Sequence, residues 1–407
     1  MSATLWALAW RNARRNHRRS LLTMGSVALG LAAVMFGQSL LRSFQRQMID
    51  KATGVMLGHL QVQAAGVKDH KVPEKLLARP ERFTAAFSGD PRVAAAGTRL
   101  LYTGLVTSPT ASRGVLITGV EPAAEKGLSI IPGYLVSGSY LTGAEREAVL
   151  GVSLARDLDV RLGERIVLMA QRPDGEMGSE LFRVAGIFKT NSTAYDGQIV
   201  YVPLAASQRL RGRPGLASHV AIKLKDVDDT DAFMAERADL GDPETVLLSY
   251  REVGSEVVGI KKFQDALLVI IMGVIYAIVA LGILNTVSMS LFERMREFGV
   301  IRALGARPGL LIRLVLVEAF LLGGVGVLTG VLLGGLGIAF FGVIGLPLPL
   351  ATALSYFMPF DGIVYMRPQW ALHLRSGLGL WAVCLAAALG PAVRAARLIV
   401  SDALRTV

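Results

Sequence analysis

Residues 293–306 read ERMREFGVIRALGA, a charged, helix-forming stretch between two of the longest apolar runs in the chain. Upstream, Ala266–Phe292 carries no charge, and downstream neither does the run from Ala319 to Phe360. A stretch so placed sits at the mouth of a membrane and offers a contact surface there. Glu293 and Glu297 lie four residues apart, Arg294 and Phe298 follow one position later, and Gly305 with Pro308 supplies a stop. The pattern predicts a short amphipathic helix with an acidic edge. Composition alone leaves two roles open: a charged loop that keeps the span from sliding, or a docking surface.

The apolar runs set the class. Only 18% of the 407 residues are charged and the mean hydropathy is +0.47, against about 25% charged in soluble domains. Runs of about 20 apolar residues suffice to cross a bilayer, and four are present, at 21–42, 263–292, 314–342 and 376–394. The first follows Arg11, Arg14, Arg15, Arg18 and Arg19. It outlasts the roughly 7–15 residues of a cleavable signal core and reads as an uncleaved anchor. Residues 1–20, with Trp6 and Trp10 on one face, suit a helix lying at the cytoplasmic interface.

The net charge of +11 follows membrane topology and calls for no nucleic acid. Arg294, Arg296, Arg302, Arg307 and Arg313 crowd the 293–313 segment, and Arg397 and Arg405 mark the tail 395–407, just beyond Arg394. The loop 343–375 holds only Arg367 and Arg375. Counting Lys and Arg beside the spans places both termini and 293–313 in the cytoplasm.

Residues 43–262, between the first two spans, change character. Strand-like runs at His59–Gln63, Val115–Thr118, Arg165–Met169, Phe182–Phe188, Ile199–Val202 and His219–Leu224 are divided by Gly, Pro and Asp turn signals. Helical stretches intervene near Pro80–Phe87, Ser153–Leu158 and Asp229–Ala238, so this external domain is α+β. Phe44 and Met48 after the first span, and Val253, Val257 and Ile260 before the second, keep helical spacing and predict stalks.

A pump needs an energy source, yet no GxxxxGK[ST] phosphate loop is present. The histidines, His17, His59, His70, His219 and His373, are scattered without metal-site spacing. Gly151-Val-Ser153-Leu-Ala155 lacks the final glycine of a nucleophile elbow, and Ser153 reads as a helix N-cap. The spans show no Asp, Glu or His relay of the kind a proton-driven pump uses. Gly326, Gly330 and Gly334 recur every four residues and read as a helix-packing seam. Glu318 falls within the third run, near its cytoplasmic end, and Cys384, the single cysteine, allows no intrachain disulfide.

Asn285 followed by the 293–306 stretch resembles the signature after the second span of the ABC transporter permease family that includes LolC, LolE, MacB and FtsX. Trp10-Arg-Asn12, Arg18–Leu22, Pro391–Ala396 and Ala403–Arg405 extend the resemblance to both ends. Gly151–Gly163, Arg183–Phe188, Tyr195-Asp196 and Tyr201–Pro203 look like the lipoprotein-releasing branch. The resemblance implies a membrane protein of four transmembrane α-helices with a large α+β periplasmic domain inserted between helices 1 and 2. It implies two permeases, alike or different, working with two copies of a separate cytoplasmic ABC ATPase. That ATPase would bind ATP and Mg; this chain would hold no cofactor and no metal. Glu293, Arg294, Glu297, Phe298, Gly299, Arg302, Gly305 and Ala306 would form the coupling helix that docks on it.

The expected activity is then extraction of a lipoprotein or lipid from the outer face of a bacterial inner membrane by mechanotransmission, with membrane lipid and a periplasmic lipoprotein or lipid carrier as further partners. Met35, Phe36, Leu40 and Phe44, with Met272 and Ile275, are the expected lining of a cargo cleft. The alternatives are an FtsX-like mechanical regulator of a periplasmic hydrolase and a MacB-like efflux subunit. LolC-type proteins carry an extended hairpin that captures a chaperone, whereas the matching place here, Gln171–Glu180, is short, with Pro173, Asp174 and Gly175 suited to a tight turn.

Overall fold

The computed structural model describes residues 6, 8, 9, 11, 15, 17–190, 192–240, 242–348 and 362–397. Trp10, Asn12, Arg14, the middle of the loop 343–375 and the tail from residue 398, including Ala403 and Arg405, lie outside them. The chain forms two compact units. One comprises Met1–Phe44, Lys262–Leu346 and Ile363–Val407, the other Gln45–Lys261 and Pro347–Gly362.

Four helices are long and apolar enough to cross a membrane: His17–Leu57, Ser255–Glu293, Pro308–Ile344 and Trp370–Ala396. The first continues through Phe44 and Met48, and the second already includes Val257 and Ile260. Val253 instead closes a separate turn, Tyr250–Val253, that ends at Gly254. The fourth helix begins ahead of its apolar run, at Trp370.

The glycine stripe of the third helix is seated on the first. A Cβ at Gly330 would stand 2.8 Å from the Ala28 carbonyl oxygen, and one at Gly326 2.7 Å from the Val27 Cβ. Small residues here let two backbones approach where any side chain would hold them apart. Gly323 faces Trp381 and Cys384 of the fourth helix, and the Trp381 indole stacks 4.4 Å from the Phe320 ring while donating to the Phe320 carbonyl at 3.1 Å. Val27, Leu31, Met35, Val279, Ile283, Leu314, Leu380 and Ala388 share one buried core.

The second unit is built on a mixed sheet. Its strands are β1 (Leu60–Ala64), β2 (Val93–Thr107), β3 (Ser112–Val120), β4 (Leu135–Gly138), β5 (Glu147–Gly151), β6 (Arg165–Gln171), β7 (Met177–Phe188), β8 (Ile199–Pro203), β9 (His219–Leu224) and β10 (Thr245–Ser249). They lie in the order β10-β1-β9-β2-β3-β8-β5-β7-β4, with β6 paired to β2 and β7. The β3–β8 and β5–β7 pairs are parallel and their neighbours antiparallel. Helices Glu81–Ser88 and Thr230–Arg237 cover the β1 and β9 end, where Phe83, Phe87 and Phe233 pack on Leu60, Val62 and Ile222. A separate core gathers Val106, Ile117, Leu150, Leu168 and Phe182. The α+β expectation is met, with one local correction. Ser153 is not an N-cap: the helix runs Val152–Asp157 and Gly151 occupies the cap position without a side-chain bond. The Gln171–Glu180 hairpin is closed by a tight turn, in which the Arg172 N–H donates to the Glu176 carbonyl at 2.8 Å and Gly175 adopts φ +89°.

Within this unit the end of the first helix is clamped. A π-helical turn, Thr53–Leu57, follows Ala52. Its Gly54 carbonyl accepts from the Ile130 N–H at 3.0 Å, and its Met56 carbonyl accepts from the Arg99 guanidinium. Arg99 also grips both oxygens of Glu125, at 2.7 and 3.1 Å, with each side chain 1% exposed.

Candidate functional site

The 293–306 stretch consists of the end of one helix and the whole of another. Glu293 is the last residue of Ser255–Glu293, and Arg294 breaks the spiral (φ −112°, ψ 12°) before a new helix, Met295–Ala303, begins. The expectation of a single helix carrying Glu293 and Glu297 on one edge is therefore corrected. The two carboxylates belong to different elements, and each is held by arginines of its own, Arg19 for Glu293 and Arg15 with Arg294 for Glu297.

Those partners come from both sides. Arg19 donates to both oxygens of Glu293, at 2.9 and 2.7 Å, and Arg15 donates to Glu297 at 2.9 Å. Arg294 turns inward, 6% exposed. Its guanidinium joins Glu297 at 3.2 Å and, from the third long helix, Glu318 at 3.1 Å. Burial pushes the Glu297 carboxyl up, but the hydrogen bonds from Arg15 and Arg294 outweigh it and hold the group below the usual carboxylate range. Thr23 adds a neutral contact, its hydroxyl donating to that of Thr286 at 2.9 Å.

The remaining predicted residues shape the element. Phe298 is 1% exposed, lies under the Arg294 guanidinium at 4.9 Å and packs in the membrane-unit core. Gly299 is buried beside it. At the far end the Ala306 N–H donates to the Ile301 carbonyl at 3.2 Å and the Gly305 N–H to Arg302 at 3.0 Å, with Gly305 at φ +91°. This closure satisfies the last carbonyls and uses glycine where a left-handed residue is required. Arg302 reinforces it by donating to the Ala306 carbonyl at 3.3 Å.

With these residues facing inward or capping, the outward face belongs to others. Arg296, Val300 and Leu304 recur every four residues and are all exposed, Val300 at 45% and Leu304 at 84%. Two bare aliphatic side chains on a short polar-flanked helix form a contact surface of the kind partners cover. Sequence reading passed over them in favour of the charges. The i, i+4, i+8 spacing beside Arg296 was the signal available.

The six residues expected to line a cargo cleft lie on the first and second long helices. Met35 is fully buried, its sulfur over Gly334, which corrects its assignment: it fills the helix seam. Phe36 makes an edge-on contact with Phe341 at 5.6 Å. Leu40 packs half-buried on the same core, and Phe44 is half-buried. Ile275 sits over Gly30, and the Met272 sulfur accepts from the Gln38 amide at 3.1 Å.

Gln38 leads to a polar cluster that the scattered-histidine reading missed. Its amide donates to the Ser376 hydroxyl at 2.8 Å, His373 Nε2 meets the Ser39 hydroxyl at 3.0 Å, and the Tyr276 hydroxyl donates to the Ser376 carbonyl at 2.7 Å. Gln38, Ser39 and His373 are each at most 1% exposed. The first, second and fourth long helices are thus joined by hydrogen bonds inside an apolar unit, where unsatisfied polar groups are costly. Among the described residues no group of three His, Cys, Asp or Glu is placed to hold a metal.

Residues 20–240 match the model of the MacB-like periplasmic core domain, and residues 269–398 that of the FtsX-like permease C-terminal region. The lipoprotein-releasing system transmembrane protein LolC of Xylella fastidiosa strain Temecula1 is 26% identical over 334 residues, covering 79% of this chain and 78% of LolC. LolE of Haemophilus influenzae, from the system of the same name, is 25% identical over 353 residues, 81% of each chain. The macrolide export ATP-binding/permease protein MacB of Agrobacterium fabrum is 25% identical over 352 residues, 81% of this chain and 51% of MacB. The chain belongs to the family of ABC transporter permeases that includes LolC, LolE, MacB and FtsX.

Proposed function

We propose that this chain is the membrane subunit of a bacterial inner-membrane transporter that extracts a lipoprotein or lipid from the outer leaflet, driven by a separate ATPase. That partner binds and hydrolyses ATP with Mg and docks from the cytoplasm on the face made by Arg296, Val300 and Leu304. Both termini lie on the same side as that face. A second permease, identical or related, completes the assembly, and a periplasmic carrier receives the cargo. This chain supplies force transmission and carries out no chemistry of its own.

One observation carries the reading. Every carboxylate of the 293–306 stretch is tied to an arginine of its own chain, and Arg294 links the short helix to the third long helix through Glu318, while Val300 and Leu304 stay bare. A push on the bare face would be passed inward through ion pairs to three long helices instead of being lost in a flexible loop. The first and second of those helices continue well past a bilayer's length, which suits a device that moves an external domain. The LolC and LolE relatives support the choice of cargo class.

Photocrosslinking in living cells tests the cargo. A crosslinker at Phe36 or Phe44 should recover an acylated protein or a lipid during turnover. Recovery of neither, with a crosslinker at exposed Ile278 as the lipid-facing control, would remove the cargo reading.

A further inference from the structure

The external unit contains a cleft of about 1070 Å³ that the transport reading leaves without a task. Its floor is a break in the sheet. On one edge β2 pairs with β3 continuously from Arg99 to Thr107. On the other, β9 is in register only up to Arg99 and β6 only from Leu105. Among the described residues no strand is therefore registered to Leu100–Gly104 on that edge, where Leu100, Leu101 and Tyr102 are buried. The Ser218 hydroxyl covers Leu101, accepting from its N–H at 2.8 Å and donating to its carbonyl at 3.1 Å. Strand alternation turns the N–H and C=O of Thr103 the same way, and Thr103 is exposed.

The walls above this notch are basic. Lys75, Arg211 and Arg213 line it, and among the described residues none of the three has a carboxylate within ion-pair distance. Lys75 reaches only the Ala65 carbonyl, at 3.2 Å, and Arg211 lies 5.7 Å over the Tyr102 ring. Two carboxylates, Glu74 and Glu244, stand exposed at the rim and leave the site net positive. Neighbouring Arg209, by contrast, is paired with Glu145 and Glu180. Cations left unpaired around one cleft, in a domain that pairs many others, mark a place for an anionic ligand.

We propose that this cleft binds an extended acidic peptide segment, its main chain against Thr103 and its carboxylates against Lys75, Arg211 and Arg213. Thr103 supplies one main-chain N–H and one C=O, the unit of pairing by which a strand is added to an open sheet. The arginines set the sign of the charge. A polypeptide fits better than a compact anion, because only a polypeptide can pair with both the N–H and the C=O of Thr103 while its carboxylates reach the cations. The site is a property of the external unit and holds whether the transporter carries a lipoprotein, a lipid or something else.

The test uses the full chain in lipid nanodiscs and fluorescence anisotropy with a short labelled peptide alternating Glu with Val and Thr. The acidic peptide should bind, and binding should weaken as salt is raised. The variant R211E/R213E should raise its Kd by at least about tenfold while melting like the parent. The same peptide N-methylated at alternate amides, which cannot donate to the edge, should also bind more weakly. Equal binding of a Lys-for-Glu peptide, or an unchanged Kd in a folded R211E/R213E, would overturn the proposal. So would undiminished binding of the N-methylated peptide together with its displacement by inorganic phosphate, since that result describes a general anion site.

Discussion

Arg294 of the break between two helices donates to Glu318 of the third long helix at 3.1 Å, with 7% and 14% of the two side chains exposed. Removing one member of a buried pair strands the other, at a cost of about 3–5 kcal/mol, whereas removing both with apolar replacements is far milder. Arg294→Met should therefore destabilise the detergent-solubilised protein more than the double variant R294M/E318L. Glu318→Gln should be intermediate, because Glu297 still partners Arg294. Thermal unfolding of the three variants checks this order; equal melting for R294M and R294M/E318L would show that the pair does not couple the helices.

The cluster of Gln38, Ser39, His373 and Ser376 makes a second prediction. His373→Ala leaves the Ser39 hydroxyl and the Gln38 amide oxygen without their ring partner. Hydrogen bonds between membrane helices are worth about 0.6 kcal/mol on average and up to about 1.7, so a loss near 1 kcal/mol is expected. His373→Gln should recover part of it. Unfolding in mixed micelles measures the difference, and an H373A protein as stable as the parent would make the cluster incidental.

In the external unit, Arg99 and Glu125 form a bidentate pair, and the same guanidinium holds Met56 at the end of the first helix. Glu125→Gln should cost about 3 kcal/mol, since a guanidinium would remain buried with no countercharge. Hydrogen exchange on the full chain should then show faster exchange at residues 53–57, where the clamp sits. Unchanged protection there would mean the π-helical turn is held by its other contacts alone.

Two buried histidines give the same unit an acid sensitivity. Burial, aided by Lys223 and opposed by Asp226, lowers His59 to about 4, and burial with Arg99 nearby lowers His219 to about 3. The Leu224 N–H donates to His59 Nδ1 at 3.2 Å, which requires that nitrogen to be unprotonated. Both groups are depressed below the ordinary 6.5. Their contribution is fully present above pH 6.5 and is lost as pH falls, because the unfolded chain takes up protons first. For His59 the loss is complete near pH 4 and amounts to about 3 kcal/mol. The melting temperature should fall between pH 7 and pH 5, and His219→Leu should flatten the dependence. A pH-independent melt would contradict the burial of both rings.

The long apolar helices were readable because length and composition alone specify them. Strands rich in β-branched residues, such as His219–Leu224, were readable for a similar local reason. Strand Val93–Thr107 was not: its opening, Val-Ala-Ala-Ala-Gly, lacks alternation and owes its conformation to β9 beside it. The glycine stop of the 293–306 stretch was readable, but its inner and outer faces were not sorted. Arg294 reads as any loop cation until Glu318 is brought to it. The polar cluster joins residues more than 330 positions apart; Gln38 within an apolar run was its one local sign.

The central claim is that the ATPase docks on Val300 and Leu304, with the charges behind them serving to pass the force on. Co-purification of the ATPase subunit with a V300D/L304D variant tests it most directly. The account predicts loss of the ATPase from a permease that still inserts and melts like the parent, because both positions are exposed. Retention of the ATPase at the parent level by that folded variant would contradict it.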